Sequence, residues 1–161
     1  NIIEKGGGHK MAGGFTIKKE KISLFREFLI KNYSKLMSNL SQSTNLYLDS
    51  IIPPTALNEN FYEDINSLAP FGSGNNEPKF VLENIKVIKS NLAADKHIKS
   101  VMCGADGSVF KSIAFNAKDT ALEPYLNEKN KKKINIAGKV KLNEWLGKKN
   151  VEFEIEDISL A

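Results

Sequence analysis

Apolar residues recur at two different spacings along the chain. Between residues 22 and 40 they recur every three or four residues, which is the period of one face of an α-helix. From residue 80 onward they alternate with polar residues at a spacing of two, which is typical of half-buried β-strands. The pattern therefore predicts a helical region followed by a mainly β region, and an α+β fold class overall.

The first region predicts the end of a strand at residues 15–17 and then an amphipathic helix packed on a sheet. The apolar stripe of that helix is interpreted as core, and it consists of Ile22, Phe25, Leu29, Tyr33, Leu36 and Leu40. The polar run 41–45 is typical of a connection between domains. We therefore divide the chain into domains at residues 1–45 and 46–161.

Three elements are predicted between this boundary and residue 80. Residues 46–52 predict a strand that is stopped by Pro53 and Pro54. Asn58 predicts the N-cap of a short helix that reaches about Leu68. Residues 69–78 contain two glycines and two prolines and predict an irregular loop.

Five strands are predicted from residue 80 onward, at 80–89, 97–103, 109–116, 134–142 and 151–155. A change of phase near Asn84 predicts a bulge, Asp106-Gly107 predicts a hairpin turn, and a short helix interrupted by Pro124 follows the third strand. Outward lysines on the fourth strand and outward glutamates on the fifth predict cross-strand pairs. This order of elements is that of an OB-fold, a five-stranded β-barrel.

OB-folds bind oligonucleotides on their second and third strands, between the loops that join strands 1–2 and 4–5. Those loops are predicted here at 89–96 and 143–150. The second contains Trp145 beside Lys148 and Lys149, which offers a ring for base stacking next to cations for phosphates. The alternative is that Trp145 folds back onto the end of the barrel and the lysines only solubilise a turn.

Three further candidates lie on the predicted second and third strands: His97, Lys99 and Lys111. A structural or solvated role for His97 is the alternative to a binding role. The two strands alternate too weakly for the sequence to decide which side faces outward. Lys131–Lys133 is interpreted as a solvated turn.

The segment Gly6–Phe15 contains Gly6, Gly7, Gly8 and His9 in succession. Glycines let the backbone approach a ligand closely, and successive N–H groups in a turn attract anions. These four residues therefore form a candidate phosphate-binding turn. A plain glycine turn is the alternative.

The same segment resembles the Gly-Gly-Gly-His-x-x-Ala-x-Gly-Phe signature of the DHHA1 domain, which follows the catalytic DHH domain in a superfamily of phosphoesterases. Residues 68–78 resemble the Leu-x-Pro-Phe-Gly-x-Gly-Asn-Pro-x-Pro motif of the RecJ single-strand-specific exonucleases. The resemblance spans nearly the whole chain. The resemblance implies the end of an α/β DHHA1 domain at residues 1–45 and a RecJ-type OB domain at 46–161.

The resemblance also implies a function for a longer parent protein, an exonuclease that degrades single-stranded DNA from 5′ to 3′ in DNA repair and recombination. This chain would be a C-terminal fragment that grips the strand and is inactive alone. Divalent Mn or Mg would be held by the DHH domain, so neither catalytic residues nor a metal or cofactor site is expected here. Repair proteins such as single-strand-binding protein are implied partners. Two alternatives remain: a DHH-family phosphodiesterase acting on short oligonucleotides, and a non-catalytic OB module that binds proteins.

Composition narrows this interpretation only slightly. The chain has 161 residues, of which 41% are hydrophobic, and a formal charge of +4 with a pI of about 9.0, which permits nucleic-acid binding without requiring it. The sequence contains no apolar run near the roughly 20 residues that cross a bilayer, so no membrane partner is expected. The single cysteine, Cys103, fits a reducing compartment, and a cytoplasmic location is expected.

Overall fold

The computed structural model describes residues 2–9, 12–37, 45–145 and 147–161, without the side chains at 34–37 and 145. The chain divides into two compact units, Asn1–Asn45 and Leu46–Ala161.

The first unit contains a β-hairpin and a helix. Strand β1 (Lys5–His9) pairs antiparallel with β2 (Ala12–Thr16), and a single 3-10 turn leads into helix α1 (Ile22–Met37). The helix and the strand before it were both predicted. The ring of Phe15 on β2 lies 4.8 Å from the ring of Phe25 on α1, measured between centroids.

The predicted burial of the α1 stripe is wrong for this chain. Ile22, Leu29 and Tyr33 expose 53%, 49% and 61% of their surface, and Phe25 is half-buried. The described part of this unit offers α1 only a two-stranded hairpin to pack against, so most of the stripe stays uncovered. The side chain of Leu36 and all of Leu40 lie outside the described residues.

The second unit begins with short elements. Strand β3 (Ser50–Ile51) is much shorter than the strand predicted there. Helix α2 (Glu59–Asn66) begins as predicted, because Oδ1 of Asn58 accepts a hydrogen bond from the N–H of Phe61 at 3.0 Å.

A closed barrel of five strands forms the rest of this unit. Its strands are β4 (Phe80–Ala93), β5 (His97–Cys103), β6 (Val109–Ala114), β7 (Ile134–Trp145) and β8 (Lys148–Leu160), with helix α3 (Glu123–Leu126) between β6 and β7. The neighbour order is β4-β5-β6-β8-β7, and β7 pairs with β4 to close the barrel. All these pairings are antiparallel except β6–β8, which is parallel. The predicted OB-fold is confirmed.

Strand β4 closes the barrel because it bends and pairs with a different strand along each half. Its first half pairs with β7 and its second half with β5. The register with β7 shifts between Leu82 and Ile85, where Asn84 has a φ of 57° and donates its N–H to Oδ1 of Asn135 at 3.0 Å. This is the bulge that the change of phase predicts.

The inner side of the barrel is the hydrophobic core. The largest fully buried side chains are Leu82, Ile85, Met102, Leu126, Ile134, Ile136, Val140 and Phe153. Leu126 comes from α3, so this short helix covers part of the barrel interior. Burial of a side chain such as Phe153 contributes about 1.5–3 kcal/mol, which makes the inward positions the main source of stability.

Candidate nucleic-acid interface

The structure resolves which side of β5 and β6 faces outward. Alternate residues of these strands are buried in the barrel, and they are Ile98, Ser100, Met102, Phe110, Ser112 and Ala114. Because side chains in a strand alternate between its faces, Lys99, Val101, Lys111 and Ile113 face outward. Both lysines named from the sequence therefore lie on the outside of the barrel.

The register of the strands brings a third lysine to the same surface. Val101 lies between Lys89 of β4 and Lys111 of β6, and Lys99 lies between Asn91 and Ile113. Directly opposed residues share a face of the sheet. We call this surface the β4–β6 face, and it consists of Lys89, Asn91, His97, Lys99, Val101, Lys111, Ile113 and Phe115. Among the described residues, its lysines form no ion pairs.

An exposed aromatic ring completes one end of this face. Phe115 follows the last residue of β6, exposes 50% of its surface, and meets the ring of His97 edge-on with centroids 5.0 Å apart. Nδ1 of His97 accepts a hydrogen bond from the N–H of Asn116 at 2.9 Å. The imidazole therefore fixes the segment after β6, and its other nitrogen is not engaged by that bond.

Sequence reasoning missed Phe115. A signal was present, since Lys111, Ile113 and Phe115 recur at a spacing of two. It could not be used because the weak alternation of β5 and β6 did not reveal which of the two sets faces the solvent.

Carboxylates lie along the edge of the β4–β6 face that is next to β8. Glu152 and Glu154 of β8 lie opposite Lys111 and Ile113 of β6. Oε1 of Glu152 accepts a hydrogen bond from Nδ2 of Asn143 at 3.0 Å. The positive part of the face therefore lies on the β4 and β5 side, away from β8.

The two predicted loops beside the face are largely strand. β4 continues to Ala93, and only Ala94–Lys96 separates it from β5. Both Ala94 and Asp95 have positive φ angles, 49° and 57°, as in a tight hairpin turn. The prediction of a loop at 89–96 was wrong because a hairpin extending past the core lacks the apolar alternation that marks a strand.

The second loop is corrected in the same way. Strands β7 and β8 pair up to Trp145 and Lys148, so the predicted loop 143–150 is the tip of a hairpin. Lys149 lies opposite Glu144 and is exposed, as is Lys148. Lys148 lies four positions before Glu152 on β8. The two residues are therefore on the same side of that strand, about 13 Å apart along it. The side chain of Trp145 and all of Leu146 lie outside the described residues.

The family motif at residues 68–78 forms a compact loop against the barrel. Gly72 and Asn75 exchange backbone hydrogen bonds of 2.8 and 3.1 Å. Nδ2 of Asn75 donates to the carbonyl oxygens of Leu68 and Pro70 at 2.9 and 3.0 Å. Phe71 packs against the core, so the loop is held both by its own hydrogen bonds and by packing on the barrel.

Glu77 ties this loop to the outside of β7. Its carboxylate lies 2.5 Å from Nζ of Lys141 and 3.2 Å from Nζ of Lys139. Lys139 also reaches Glu156 at 3.3 Å, and Glu156 binds Lys79 at 2.5 Å. We call these five residues the ion cluster. The predicted pairing of β7 lysines with β8 glutamates is confirmed only for Lys139 and Glu156, since Glu77 takes the other contacts.

Opposing effects set the charge states in the ion cluster. Burial raises the pKa of Glu77, but hydrogen bonds and charge from Lys141 and Lys139 outweigh it and hold that pKa below its ordinary value. The pKa of Glu156 is lowered in the same way by Lys79 and Lys139. Burial lowers the pKa of Lys139, but both glutamates outweigh it and raise that pKa. Glu77, Glu156 and Lys139 are therefore charged near neutral pH.

The glycine run does not form the predicted turn. Gly6, Gly7 and Gly8 lie within β1 and pair with Phe15, Gly14 and Gly13 of β2. The turn prediction was wrong because the two glycine-rich stretches face each other across a hairpin. A Cβ on Gly8 would lie 2.5 Å from the carbonyl oxygen of Ala12, so close strand approach is what requires glycine there. His9 ends β1, and its role in phosphate binding stays a prediction.

The described residues contain no group of three or more His, Cys, Asp or Glu side chains placed to hold a metal ion. None of the described helices is long and apolar enough to span a membrane.

A model of the RecJ OB domain family matches residues 48–157, which include the whole β4–β6 face and the ion cluster. The chain belongs to the RecJ OB domain family. The RecJ assignment made from the sequence is confirmed.

Curated relatives match nearly the whole chain at low identity. Single-stranded-DNA-specific exonuclease RecJ of Escherichia coli K12 is 24% identical over 158 residues, covering 98% of this chain and 26% of the relative. The RecJ of Haemophilus influenzae is 27% identical over 160 residues, covering 98% of this chain and 27% of the relative. This chain thus spans about a quarter of the length of these relatives.

Solved structures match the fold. A crystal structure of RecJ from Thermus thermophilus in complex with Mn²⁺ superposes with a TM-score of 0.65 at 23% identity, covering 99% of this chain and 22% of that one. A complex of the same RecJ with Mg²⁺ gives a TM-score of 0.63 at 23% identity, covering 98% and 23%.

Proposed function

We propose that this chain is the single-stranded-DNA-binding part of a RecJ-type exonuclease and that its β4–β6 face holds the strand. One observation carries the proposal. The exposed ring of Phe115 shares a surface with Lys89, Lys99 and Lys111, none of which forms an ion pair in the described part of the chain. A stacking ring beside cations that track a backbone is the combination used for single strands.

The spacing of these groups suits a single strand. Lys99 and Lys111 are diagonal neighbours on adjacent strands, which places the two residues about 7–8 Å apart. The lysines bind phosphates without reading sequence, while Phe115 stacks on any base. Binding should therefore be sequence-tolerant and weaken with salt, with a log–log slope of roughly −0.7 for each phosphate contacted.

Strand cleavage is assigned in this proposal to the part of the parent protein outside this chain. The RecJ structures that match hold Mn²⁺ or Mg²⁺. The described residues here do not bring a metal-binding set of side chains together. The role of this chain is then to grip DNA while metal-dependent hydrolysis takes place elsewhere.

The test measures the affinity of the chain for fluorescent oligothymidylate by anisotropy. Phe115→Ala should cost about 1–3 kcal/mol of binding free energy, because the stacked base loses its ring. Trp145→Ala measures whether the tip of the β7–β8 hairpin adds a second stacking ring. The matched control is Tyr47→Ala, which removes a ring that is 83% exposed and lies outside the face, and it should leave affinity unchanged. Equal affinities of the Phe115 and Tyr47 variants, with both folded, would contradict the proposal.

A further inference from the structure

The backbone bends where β6 ends, directly after the exposed residue Phe115. Asn116 has a φ of 52°, in the left-handed region that residues other than glycine seldom adopt and that Asn tolerates. Ala117 is then buried in the core again, as Ala114 is before it. Phe115 therefore lies on a bend of the chain that is anchored on both sides by a buried residue. We call residues 115–117 the bend.

His97 of β5 contacts the bend at two points. β5 and β6 pair as far as Ile98 and Ala114, so His97 and Phe115 are the next residues in register, and both lie on the outer face. The rings of His97 and Phe115 meet edge-on with centroids 5.0 Å apart. Nδ1 of His97 accepts the hydrogen bond from the N–H of Asn116 at 2.9 Å. One side chain thus contacts both the ring of Phe115 and the backbone that carries it.

The hydrogen bond to Asn116 also determines which nitrogen of the imidazole carries the proton. A backbone N–H can only donate, so Nδ1 of His97 must present a lone pair. In the neutral ring the proton is then on Nε2. Nε2 makes no hydrogen bond within the described part of the chain. The bend is therefore held through Nδ1, and Nε2 is a separate donor that the bend does not use.

We propose that His97 is a positioning residue, which holds the ring of Phe115 in place to stack on a base of single-stranded DNA. This inference rests on the proposed function, in which Phe115 is the stacking ring. A side chain that is half exposed loses conformational freedom when a ligand orders it, and this loss weakens binding. His97 reduces the loss, because it fixes the backbone at Asn116 and contacts the ring before DNA binds.

Two substitutions of His97 in the whole chain separate the hydrogen bond from the imidazole ring. H97N and H97Q both remove the ring. Asn keeps an acceptor oxygen bonded to Cγ, at the place of Nδ1, whereas Gln moves that oxygen outward to the place of Nε2. In anisotropy titrations with oligothymidylate, H97Q should bind about two- to tenfold more weakly than the unaltered chain, the effect of ordering a side chain on binding. H97N should bind more tightly than H97Q.

Two results of this comparison would overturn the proposal. Equal losses in H97N and H97Q would show that the hydrogen bond to Asn116 does not matter for binding. A greater loss in H97N would show that His97 acts through its outer nitrogen, as a direct contact to DNA. If H97Q does not fold in a thermal unfolding experiment, H97F replaces it, because Phe keeps a ring and lacks the acceptor, and the same loss is expected.

A double-mutant cycle tests whether His97 acts through Phe115. When Phe115→Ala has removed the ring, adding H97Q should weaken binding by less than about twofold, the usual limit of error in such cycles. The matched control is Lys111→Gln. Lys111 lies four positions before Phe115, roughly 13 Å along the strand, so H97Q should cause its full loss in that variant. A full loss in the Phe115→Ala variant as well would overturn the proposal.

The imidazole nitrogen resonances of the isotope-labelled chain give a measurement that is independent of affinity. The neutral ring should carry its proton on Nε2, and a proton on Nδ1 would overturn the proposal, since His97 could then not accept from Asn116. The binding data also separate this inference from the function on which it rests. If Phe115→Ala weakens binding and H97Q does not, only the role of His97 is overturned. If Phe115→Ala binds as the unaltered chain does, the proposed function and the role of His97 are both overturned.

Discussion

At the scale of single residues, Gly138 lies where the barrel has no room for a side chain. It lies on β7 where the register with β8 shifts, and it pairs with Phe80 of β4 on its other side. A Cβ built on Gly138 would overlap the carbonyl oxygen of Glu154 and lie 3.1 Å from Cα of Ile155. Both are backbone atoms of β8 and cannot rotate away, so only glycine lets the two strands meet here.

Gly138→Ala should therefore lower the free energy of unfolding by about 3 kcal/mol or more, because the added methyl forces β7 and β8 apart. Chemical denaturation of the two proteins measures the difference. Gly72→Ala is the control, since a Cβ there meets no heavy atom within 4 Å, and it should change stability by less than about 0.5 kcal/mol. Similar losses in the two variants would show that the close approach at Gly138 does not govern stability.

Structural features that depend only on residues close together in sequence could be predicted. The Asn58 cap and the Asn84 bulge follow from the residue and its immediate neighbours. The contact between His97 and Phe115 joins two strands, and no local pattern contains it.

At the scale of elements, the ion cluster attaches the loop 68–78 to β7 and the start of β4. The motif identified the family, but the sequence did not show that Glu77 bridges two lysines 62 and 64 positions away. The order of strands along the chain was predictable because each strand could be recognised: in β7 and β8, for example, inward apolar residues alternate with charged ones. Strand ends were not, because the hairpin tips extend past the core and carry polar residues on both faces.

Glu77→Gln should lower the free energy of unfolding near neutral pH by about 1 kcal/mol, because two half-buried lysines lose their shared carboxylate. The pH dependence has a definite sign. The folded pKa values of Glu77 and Glu156 are lowered, so their contribution is complete above the ordinary glutamate range and is lost as pH falls through the folded values. The pKa of Lys139 is raised, so its contribution is lost only as pH rises through that value in the alkaline range.

Thermal unfolding across acidic pH measures this effect. The unaltered chain should lose stability on acidification, and the Glu77 variant should lose less over the same range. Glu63→Gln, on the exposed side of α2 and outside any ion pair in the described structure, should follow the unaltered chain. If the Glu77 variant lost as much stability on acidification as the unaltered chain, the ion cluster would not contribute to the pH dependence of stability.

At the scale of the whole molecule, the two units differ in how much they bury. All fifteen buried hydrophobic residues that the structure describes lie in the second unit, between Ile65 and Ile155. The barrel could be predicted because its core follows a period of two and its turns have clear signals. The β4–β6 face could not be predicted, because the placement of Lys89, Lys99 and Lys111 on one side depends on the register of β4 against β5, which shifts between Val87 and Lys89.

The central claim is that the β4–β6 face of the barrel holds single-stranded DNA. Titration of the isotope-labelled chain with oligothymidylate, followed by amide chemical shifts, tests it most directly. The largest shifts are expected at Lys89–Asn91, Lys99–Val101 and Lys111–Phe115, with little change at Lys139 and Lys141, which already form ion pairs with the carboxylates of the ion cluster. Shifts centred on the outside of β7 instead, or no shifts at concentrations that saturate binding, would contradict it.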